Sequence, residues 1–473
     1  MAFIFSKENR KVVKRQISGF WYEFKRKKIG VVGLAILLFF VGMAVFASVL
    51  TPYDPINKER LAQDFAMPEW MRIFPQYANY PTTRNMAPSW ATEKGVEFVQ
   101  SSGKRITLQY TTTALVTTDV EFRYKFSYQE IPPNTFYTGF RYQASNVKNL
   151  QYTISYSLIT PENKSWLLWT RADIKVDWSE TVSIDSKEPF LVTRLLGEPQ
   201  INLANAIFAQ KGDYILKVLM RFKPQSTDAR VDVTAGDSTF TILGMVHGVL
   251  GTDDVGADLW SQLVYGSQIS LVIGLTAAAV GVSIGTIVGV VAGYAGGAVD
   301  EILMRLVDIL LVLPFLPLLL TLVFLYGKNI MYIVLFIAIF GWQGLARMVR
   351  SQILSLRETA FVECARAAGG SKFYIMRKHL IPNVFPIVFP TLVLSIPSAI
   401  LFEASLSFLG FGDPRVPTWG KMLQYAFGFG AFTRLAWWWI LPPGLAITGL
   451  CLGFVFMGHS FDEILNPRLR RRR

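Results

Sequence analysis

The sequence predicts an α-helical polytopic membrane protein of six transmembrane helices, carrying an inserted extracytoplasmic antiparallel β-sandwich domain. Three observations carry this. Mean hydropathy is positive, +0.33, and 51% of the 473 residues are hydrophobic, above the usual balance of water-soluble chains. Six apolar runs of about 20 residues, the length that crosses a bilayer at 1.5 Å per residue, are nearly free of charge. Between the first and second runs the hydrophobic period becomes two, the period of strands with one buried face.

The first span is Ile29–Leu50, which carries no charge and no clear small-x-small cleavage site before Thr51, so it reads as a retained anchor. Ile269–Ala295 follows, with Gly274, Gly281, Gly285, Gly289 and Gly293 spaced for close helix packing or for a pore-facing wall. Leu306–Tyr326 holds Asp308 near one end and Pro314 and Pro317 inside. Ile330–Ala346 is short and clean. Asn383–Phe402 contains Pro386, Pro390 and Pro397, and such breaks are tolerated in membrane helices. Ala436–Met457 opens with Trp437, Trp438 and Trp439, read as an aromatic girdle at headgroup depth.

The formal charge of +13 is unevenly placed. Nine cations lie in the first 28 residues, seven between Arg347 and Lys378, and five at Arg468 and Arg470 to Arg473. Thr51 to Gln268 holds 21 Lys and Arg against 23 Asp and Glu, a balance of −2. Basic clusters flanking apolar runs mark cytoplasmic segments. An even number of spans puts all three clusters on one side, with both termini cytoplasmic. This pattern argues against nucleic-acid binding. Two cysteines, Cys364 and Cys451, exclude a disulfide scaffold, and three scattered histidines offer no metal centre. The division is therefore a cytoplasmic basic N-tail (1–28), the first helix (29–50), the extracytoplasmic β-rich domain (51–244) and an external amphipathic segment (245–268). A five-helix transmembrane core (269–461) with the cytoplasmic loop 350–382 follows, then a cytoplasmic basic tail (462–473).

In the β-domain, Ile106–Tyr110, Val120–Phe126, Leu150–Tyr156, Tyr214–Val218 and Val231–Thr234 alternate and are rich in β-branched and aromatic residues. Turn pairs such as Pro132-Pro133 and Lys211-Gly-Asp213 punctuate them. Residues 52–104 read as an extended connection with little helix. Trp166, Trp169 and Trp178 are either sheet-packing residues or an external face that contacts a binding protein. No catalytic constellation stands out, and the chain has no phosphate-binding loop of the Gly-x-x-x-x-Gly-Lys-Ser/Thr type.

The loop before the fifth span reads Glu363-Cys-Ala-Arg-Ala-Ala-Gly369-Gly-Ser371 and runs on to His379-Leu-Ile-Pro382-Asn383. Helix formers from Leu356 to Ala368 predict one helix. Gly369-Gly370 suits a left-handed C-cap, and Ser371 suits the N-cap of a second helix ending near Leu380.

This loop resembles the Glu-Ala-Ala loop of ABC importer permeases, in Glu363, Ala365, Gly369 and Pro382, with Cys364 in place of the usual second Ala. Gly251-Thr-Asp-Asp-Val-Gly256-Ala-Asp258 is similar to a segment of the C-type subunit of oligopeptide and dipeptide permeases, with Ala257 where an Arg is usual. Gly293-Tyr-Ala-Gly-Gly297, Asp300 to Asp308, Glu403 to Gly412, Trp419-Gly420, Pro52-Tyr-Asp-Pro55 and Asn466-Pro-Arg468 fit the same family. The resemblance covers residues 20–55 and about 245–470, and it leaves the β-domain unaccounted for.

The resemblance implies the ABC importer permease fold and a transport subunit that is not itself an enzyme. The implied cargo is oligopeptides or dipeptides; the alternatives are oligosaccharides, nickel, or a membrane-anchored receptor that uses the β-domain. It implies a second permease subunit as heterodimer partner, two cytoplasmic ABC ATPases, an extracytoplasmic solute-binding protein and surrounding lipid. No cofactor is expected on this chain, since ATP and Mg would be held by the ATPases. Glu363, Cys364, Ala365, Arg366, Gly369 and Pro382 are the implied ATPase-coupling loop. Two acids in or near the apolar spans stand apart. Asp308 has Arg305 three residues earlier on its helix and reads as its ion-pair partner. Glu403 has no local cation, and is either a translocation-path or subunit contact or a hydrogen-bond acceptor at a helix end.

Overall fold

The structure, a computed structural model, describes residues 18–92, 99–102 and 105–465. Most of the basic N-tail, the Asn466–Arg468 match and the terminal arginines lie outside these residues. The chain divides into two compact units, Met1–Lys58 with Leu259–Arg473, and Glu59–Asp258.

The first unit is helical. After a short helix at 18–25 come α1 (Lys28–Val45), α2 (Leu259–Ala295), α3 (Gly297–Val312), α4 (Phe315–Tyr326), α5 (Ile330–Ile339), α6 (Gln343–Leu356) and α7 (Ala360–Ala367). α8 (Lys372–Phe408), α9 (Trp419–Gly428) and α10 (Trp437–Leu465) complete it. Among the described residues five helices are long and apolar enough to cross a membrane, taking α5 with α6 as one, and six if the bent pair α3/α4 is one span.

That pair corrects the expected straight span Leu306–Tyr326. α3 and α4 meet at 88°. Pro314 has no N–H to continue the helix, and its ring drives the preceding residue out of the helical region. Leu313 accordingly sits at φ −65°, ψ 130°.

The glycines of α2 fix the direction of the helices packed against it. A Cβ on Gly281 would lie 3.2 Å from the Ala338 carbonyl oxygen, on Gly285 2.8 Å from that of Trp342, on Gly289 2.6 Å from that of Ala346, and on Gly293 2.8 Å from Ile353 Cβ. These small residues are packing surface, where backbones approach closely. Their partners advance in step along α5 and α6, so α2 and α5/α6 run in the same direction. The bent pair between them therefore returns the chain to the far end of the bundle.

The remaining helices close the bundle. A Cβ on Gly30 would meet Ser460, on Gly33 the Phe456 Cβ at 2.8 Å, and on Gly449 the Phe40 ring at 3.4 Å, so α1 and α10 are antiparallel. α8 is antiparallel to α10 as well, with the Phe389 and Phe461 rings 5.3 Å apart and Leu394 against Gly458. The start of α1, the start of α8 and the end of α10 therefore share one end of the bundle. Trp438 and Trp439 are buried, at 4% and 0% exposure, so only Trp437 of the expected girdle faces outward. α2 begins at Leu259, not at Ile269: the anticipated segment 245–268 is split between the two units.

The second unit holds two antiparallel sheets around one core. Its strands are β1 (Arg84–Met86), β2 (Ala91–Thr92), β3 (Val99–Ser102), β4 (Arg105–Thr111), β5 (Thr118–Tyr128), β6 (Phe136–Lys148), β7 (Leu150–Ile159), β8 (Ser165–Ile174), β9 (Trp178–Asp185), β10 (Gly212–Pro224) and β11 (Arg230–Ile242). One sheet runs β3-β4-β11-β6-β9, with β1 also on β11; the other runs β2-β5-β10-β7-β8. Alternation supplies the core: Phe122, Tyr156, Tyr214, Leu216 and Phe222 point inward with no more than trace exposure. The outward face of β5 and β10 is polar and cross-strand paired, with Arg221 donating to both Asp119 oxygens at 2.8 Å. That guanidinium holds the Asp119 carboxyl below its usual pKa. The connection expected over 52–104 is shorter: residues 52–83 carry one 3-10 turn, Glu69–Ile73, while β1, β2 and β3 already belong to the sheets.

The Gly251–Asp258 motif closes this unit. Thr252 is fully buried; its hydroxyl donates to the Gln63 carbonyl at 2.6 Å and accepts from the Ala66 N–H at 2.9 Å. The Asp253 carboxylate accepts the N–H groups of Val255 and Ala257 at 3.1 and 2.9 Å. Gly256 has φ +83° and a Cβ there would lie 2.2 Å from the Ala62 carbonyl oxygen, so only glycine fits. Ala257, where the family usually has Arg, is 4% exposed.

Candidate functional site

The loop between α6 and α8 stands at the bundle end shared by the start of α1 and the end of α10. α7 stops at Ala367. Gly369 follows at φ +80°, its N–H bonds the Arg366 carbonyl, and the Gly370 N–H reaches back to the Ala365 carbonyl, both at 3.0 Å. This is a left-handed helix stop. Ser371 then caps α8, its Oγ accepting from the Tyr374 N–H at 3.3 Å.

α8 does not end near Leu380 as expected. A wide turn at Met376–Leu380 leads directly into Ile381–Phe408. Pro382 sits at the opening of that stretch, where the looser turn accommodates its ring, and the Asn383 side-chain amide donates to the His379 carbonyl at 2.7 Å. The loop is thus rigidly continuous with a span.

Its inner face is apolar. Val362, Ile375 and Leu380 are buried in one cluster with Val349 and Ile353 of α6 and Val290 of α2, and Ala365 packs against them. Its outer face is free: Glu363, Cys364 and Arg366 are exposed, and so is Pro382. Glu363 has no polar partner among the described residues. Phe361, Phe373 and Tyr374 are also exposed, at 40%, 69% and 44%. Sequence reasoning passed over these three rings. The signal was present, since Phe361 and Cys364 share one helical face opposite Val362. Exposed aromatics on a rigid support are what a protein partner's groove would take, and they carry no bond-making chemistry.

The other anticipated residues fall elsewhere. Asp308 pairs with Arg347 of α6, not with Arg305, which is instead bound to Glu301 at 2.6 Å. The reason is reach: one turn along α3 suits Glu301–Arg305, while Asp308 faces the neighbouring helix. A second such tie joins Arg350 of α6 to Asp300 of α3 at 2.6 Å.

Glu403 is 1% exposed and accepts the Ser407 hydroxyl hydrogen bond at 2.6 Å. It lies where α8 meets α9. There a Cβ on Gly420 would sit 2.5 Å from the Ala404 carbonyl oxygen, and the Trp419 indole N–H donates to the Leu263 carbonyl at 2.8 Å. Glu403 does not line the cavity of about 350 Å³ walled by Phe315, Met348, Thr391, Ser395, Ser398 and Phe402.

The three tryptophans do not form one surface. Trp166 is 7% exposed and belongs to the sandwich core, which withdraws it as a contact residue. Trp169 packs edge-on to Phe140 at 5.5 Å. Trp178 alone presents an exposed ring, with Arg171 4.8 Å from its centre. Among the described residues no group of His, Cys, Asp or Glu is placed to hold a metal ion.

The profile of the binding-protein-dependent transport system inner membrane component matches residues 285–471, and that of the N-terminal TM domain of oligopeptide transport permease C matches 16–68. The dipeptide transport system permease protein DppC of Bacillus subtilis is 36% identical over 222 residues, 47% of this chain and 69% of its own length. The oligopeptide transport system permease protein OppC of Haemophilus influenzae is 40% identical over 223 residues, 46% of this chain and 70% of its own. A putative peptide transport system permease protein of Brucella suis is 35% identical over 248 residues, 52% and 82% of the two chains.

Proposed function

This chain belongs to the family of binding-protein-dependent transport system inner membrane components, in its OppC/DppC-like branch, and from that premise we propose that it is one multi-pass permease subunit of an ATP-driven importer of oligopeptides or dipeptides. The observation that carries the reading is that the exposed, rigidly mounted loop lies inside the match at 285–471, within the helical unit, and that the match at 16–68 covers the first span. The loop is the docking element for a cytoplasmic ABC ATPase: Phe361, Phe373 and Tyr374 enter the partner's groove, while Val362 and Ile375 transmit its movement to α2 and α6. ATP and Mg belong to two ATPase subunits. A second permease subunit completes the path, and a solute-binding protein delivers cargo.

Both termini and the coupling loop lie on the cytoplasmic side of the inner membrane. Support comes from the shared bundle end and from the basic clusters of the sequence. The β-unit is then extracytoplasmic. The chain leaves the bundle after α1 and re-enters at α2, where the Trp260 indole N–H donates to the Leu50 carbonyl at 3.3 Å, at the end opposite the loop. The β-unit does no chemistry there and serves the binding protein's docking, with Trp178 its exposed aromatic.

The test is co-expression with a partner permease and the ATPase subunits, followed by reconstitution in vesicles with the binding protein. The reading expects ATP-dependent uptake of labelled peptides and loss of uptake without ATP. A fully assembled complex that moves no peptide contradicts it. A tag inserted at the Asn163 turn should be reached only from outside, and Cys364 only from inside.

A further inference from the structure

The helical residues 18–25 present two unlike faces. Inward, Phe24 is 2% exposed with its ring 5.6 Å from that of Phe461 in α10, and the Phe20 ring lies 5.5 Å from the same residue. Lys27 just beyond it pairs with Glu463. Outward, Trp21 and Tyr22 are 44% and 66% exposed, and each carries a cation from the next turn. Lys25 Nζ is 5.3 Å from the centre of the Trp21 ring, and the Arg26 guanidinium 5.8 Å from that of Tyr22.

We propose that this outward face binds the headgroups of anionic phospholipids. Its depth is fixed: α1, a span, starts at Lys28, so the helix lies within a turn of the apolar boundary, and two contacts to α10 hold it there. The residue types suit that depth, since Trp and Tyr concentrate at headgroup level with the polar edge toward water. The charge is complementary. Lys25 and Arg26 stand beside the rings, Lys28 follows, and the first 28 residues carry nine cations against Glu8 and Glu23. Basic clusters directly next to a span attract anionic lipid. A merely solvated basic face needs no paired aromatics, and it needs no anchor on the last span. The inference requires only that the chain is a multi-pass membrane protein and is independent of its cargo.

The experiment uses the full chain in phosphatidylcholine vesicles containing a titrated fraction of photoactivatable phosphatidylglycerol, with lipid adducts mapped to the peptide holding Trp21 and Tyr22. Labelling should saturate with phosphatidylglycerol and stay low with photoactivatable phosphatidylcholine. Each cation near an anionic surface contributes about fivefold, so Lys25→Gln with Arg26→Gln should raise the half-saturating fraction by about 25-fold. Arg26→Lys should keep it. Unchanged labelling in the double variant, or equal labelling by phosphatidylcholine, overturns the proposal. So does a double variant that keeps its lipid adducts and loses co-purifying ATPase, which would assign the face to a protein partner.

Discussion

Lys27, one residue ahead of the first span, pairs with Glu463, close to the end of the last, and this ties the two ends of the helical unit together. The Phe24 and Phe461 rings, tilted at 41° with centres 5.6 Å apart, are also in contact there. An odd number of crossings would have put these residues on opposite ends. This pair places the start of α1 and the end of α10 at one end of the helical unit, the end at which the loop between α6 and α8 stands.

Gly369 is the stop between α7 and α8, and a Cβ there would meet nothing within 4 Å. Only its φ of +80° constrains the residue. Gly369→Val should therefore cost about 1–2 kcal/mol of local stability, leave the spans folded and lower ATPase co-purification and uptake. Gly369→Asn, which tolerates the left-handed region, should retain most of both. Equal activity of the Val and Asn variants would remove the cap from the account.

Gly289 tests the packing of α2. Its Cβ would come 2.6 Å from the Ala346 backbone oxygen, which cannot swing aside. Gly289→Val should destabilise the helical unit by about 1–3 kcal/mol, read as a lower melting temperature in detergent. No shift would mean that the stripe faces open space.

Glu403 is expected to act as an acceptor. Glu403→Gln keeps an oxygen for the Ser407 hydroxyl and should assemble and transport near the unaltered level. Glu403→Leu removes it and should cost about 1–3 kcal/mol. Normal stability with lost transport in the Gln variant would point to a charge requirement instead.

The β-unit should weaken in mild acid through His247. Burial holds its imidazole below the ordinary value of 6.5, against the pull of Asp258, whose oxygen is 3.6 Å away, and of Glu69. A depressed folded pKa means that the unfolded chain takes up the proton first. This contribution to stability is whole above about pH 6.5 and is lost as pH falls from there through the folded pKa. Between pH 7.5 and 5.5, His247→Gln should show a smaller drop in the β-unit's melting temperature than the unaltered chain.

Much of this was legible in the chain, for reasons that differ by element. Apolar runs and the strands β4, β5, β7, β10 and β11 declare themselves because burial imposes a period. β8 hides because adjacent Leu167 and Leu168 break the alternation at a bulge against β7. The 88° turn at Pro314 was obscured by an unbroken apolar composition, although the proline itself carries the cause. Pro382 misled in the other direction: a helix stop was the natural reading, and the wide turn before it let the helix continue. The Asp308 partner was out of reach, since pairing across helices depends on which faces meet. The loop's helix stop, by contrast, follows from Gly369-Gly370-Ser371 directly, because the left-handed glycine backbone and the Ser371 hydroxyl are the cap.

The most direct measurement is cross-linking from Cys364, which is exposed on the outer face of α7 while Cys451 is half-buried in α10. A short thiol-reactive photo-cross-linker on Cys364 of the assembled complex should join this chain to an ATPase subunit, with yield that changes when ATP is added and none in Cys364→Ala. Cross-links only to the solute-binding protein, or to no ATPase in a complex that hydrolyses ATP, would contradict the coupling role assigned to this loop.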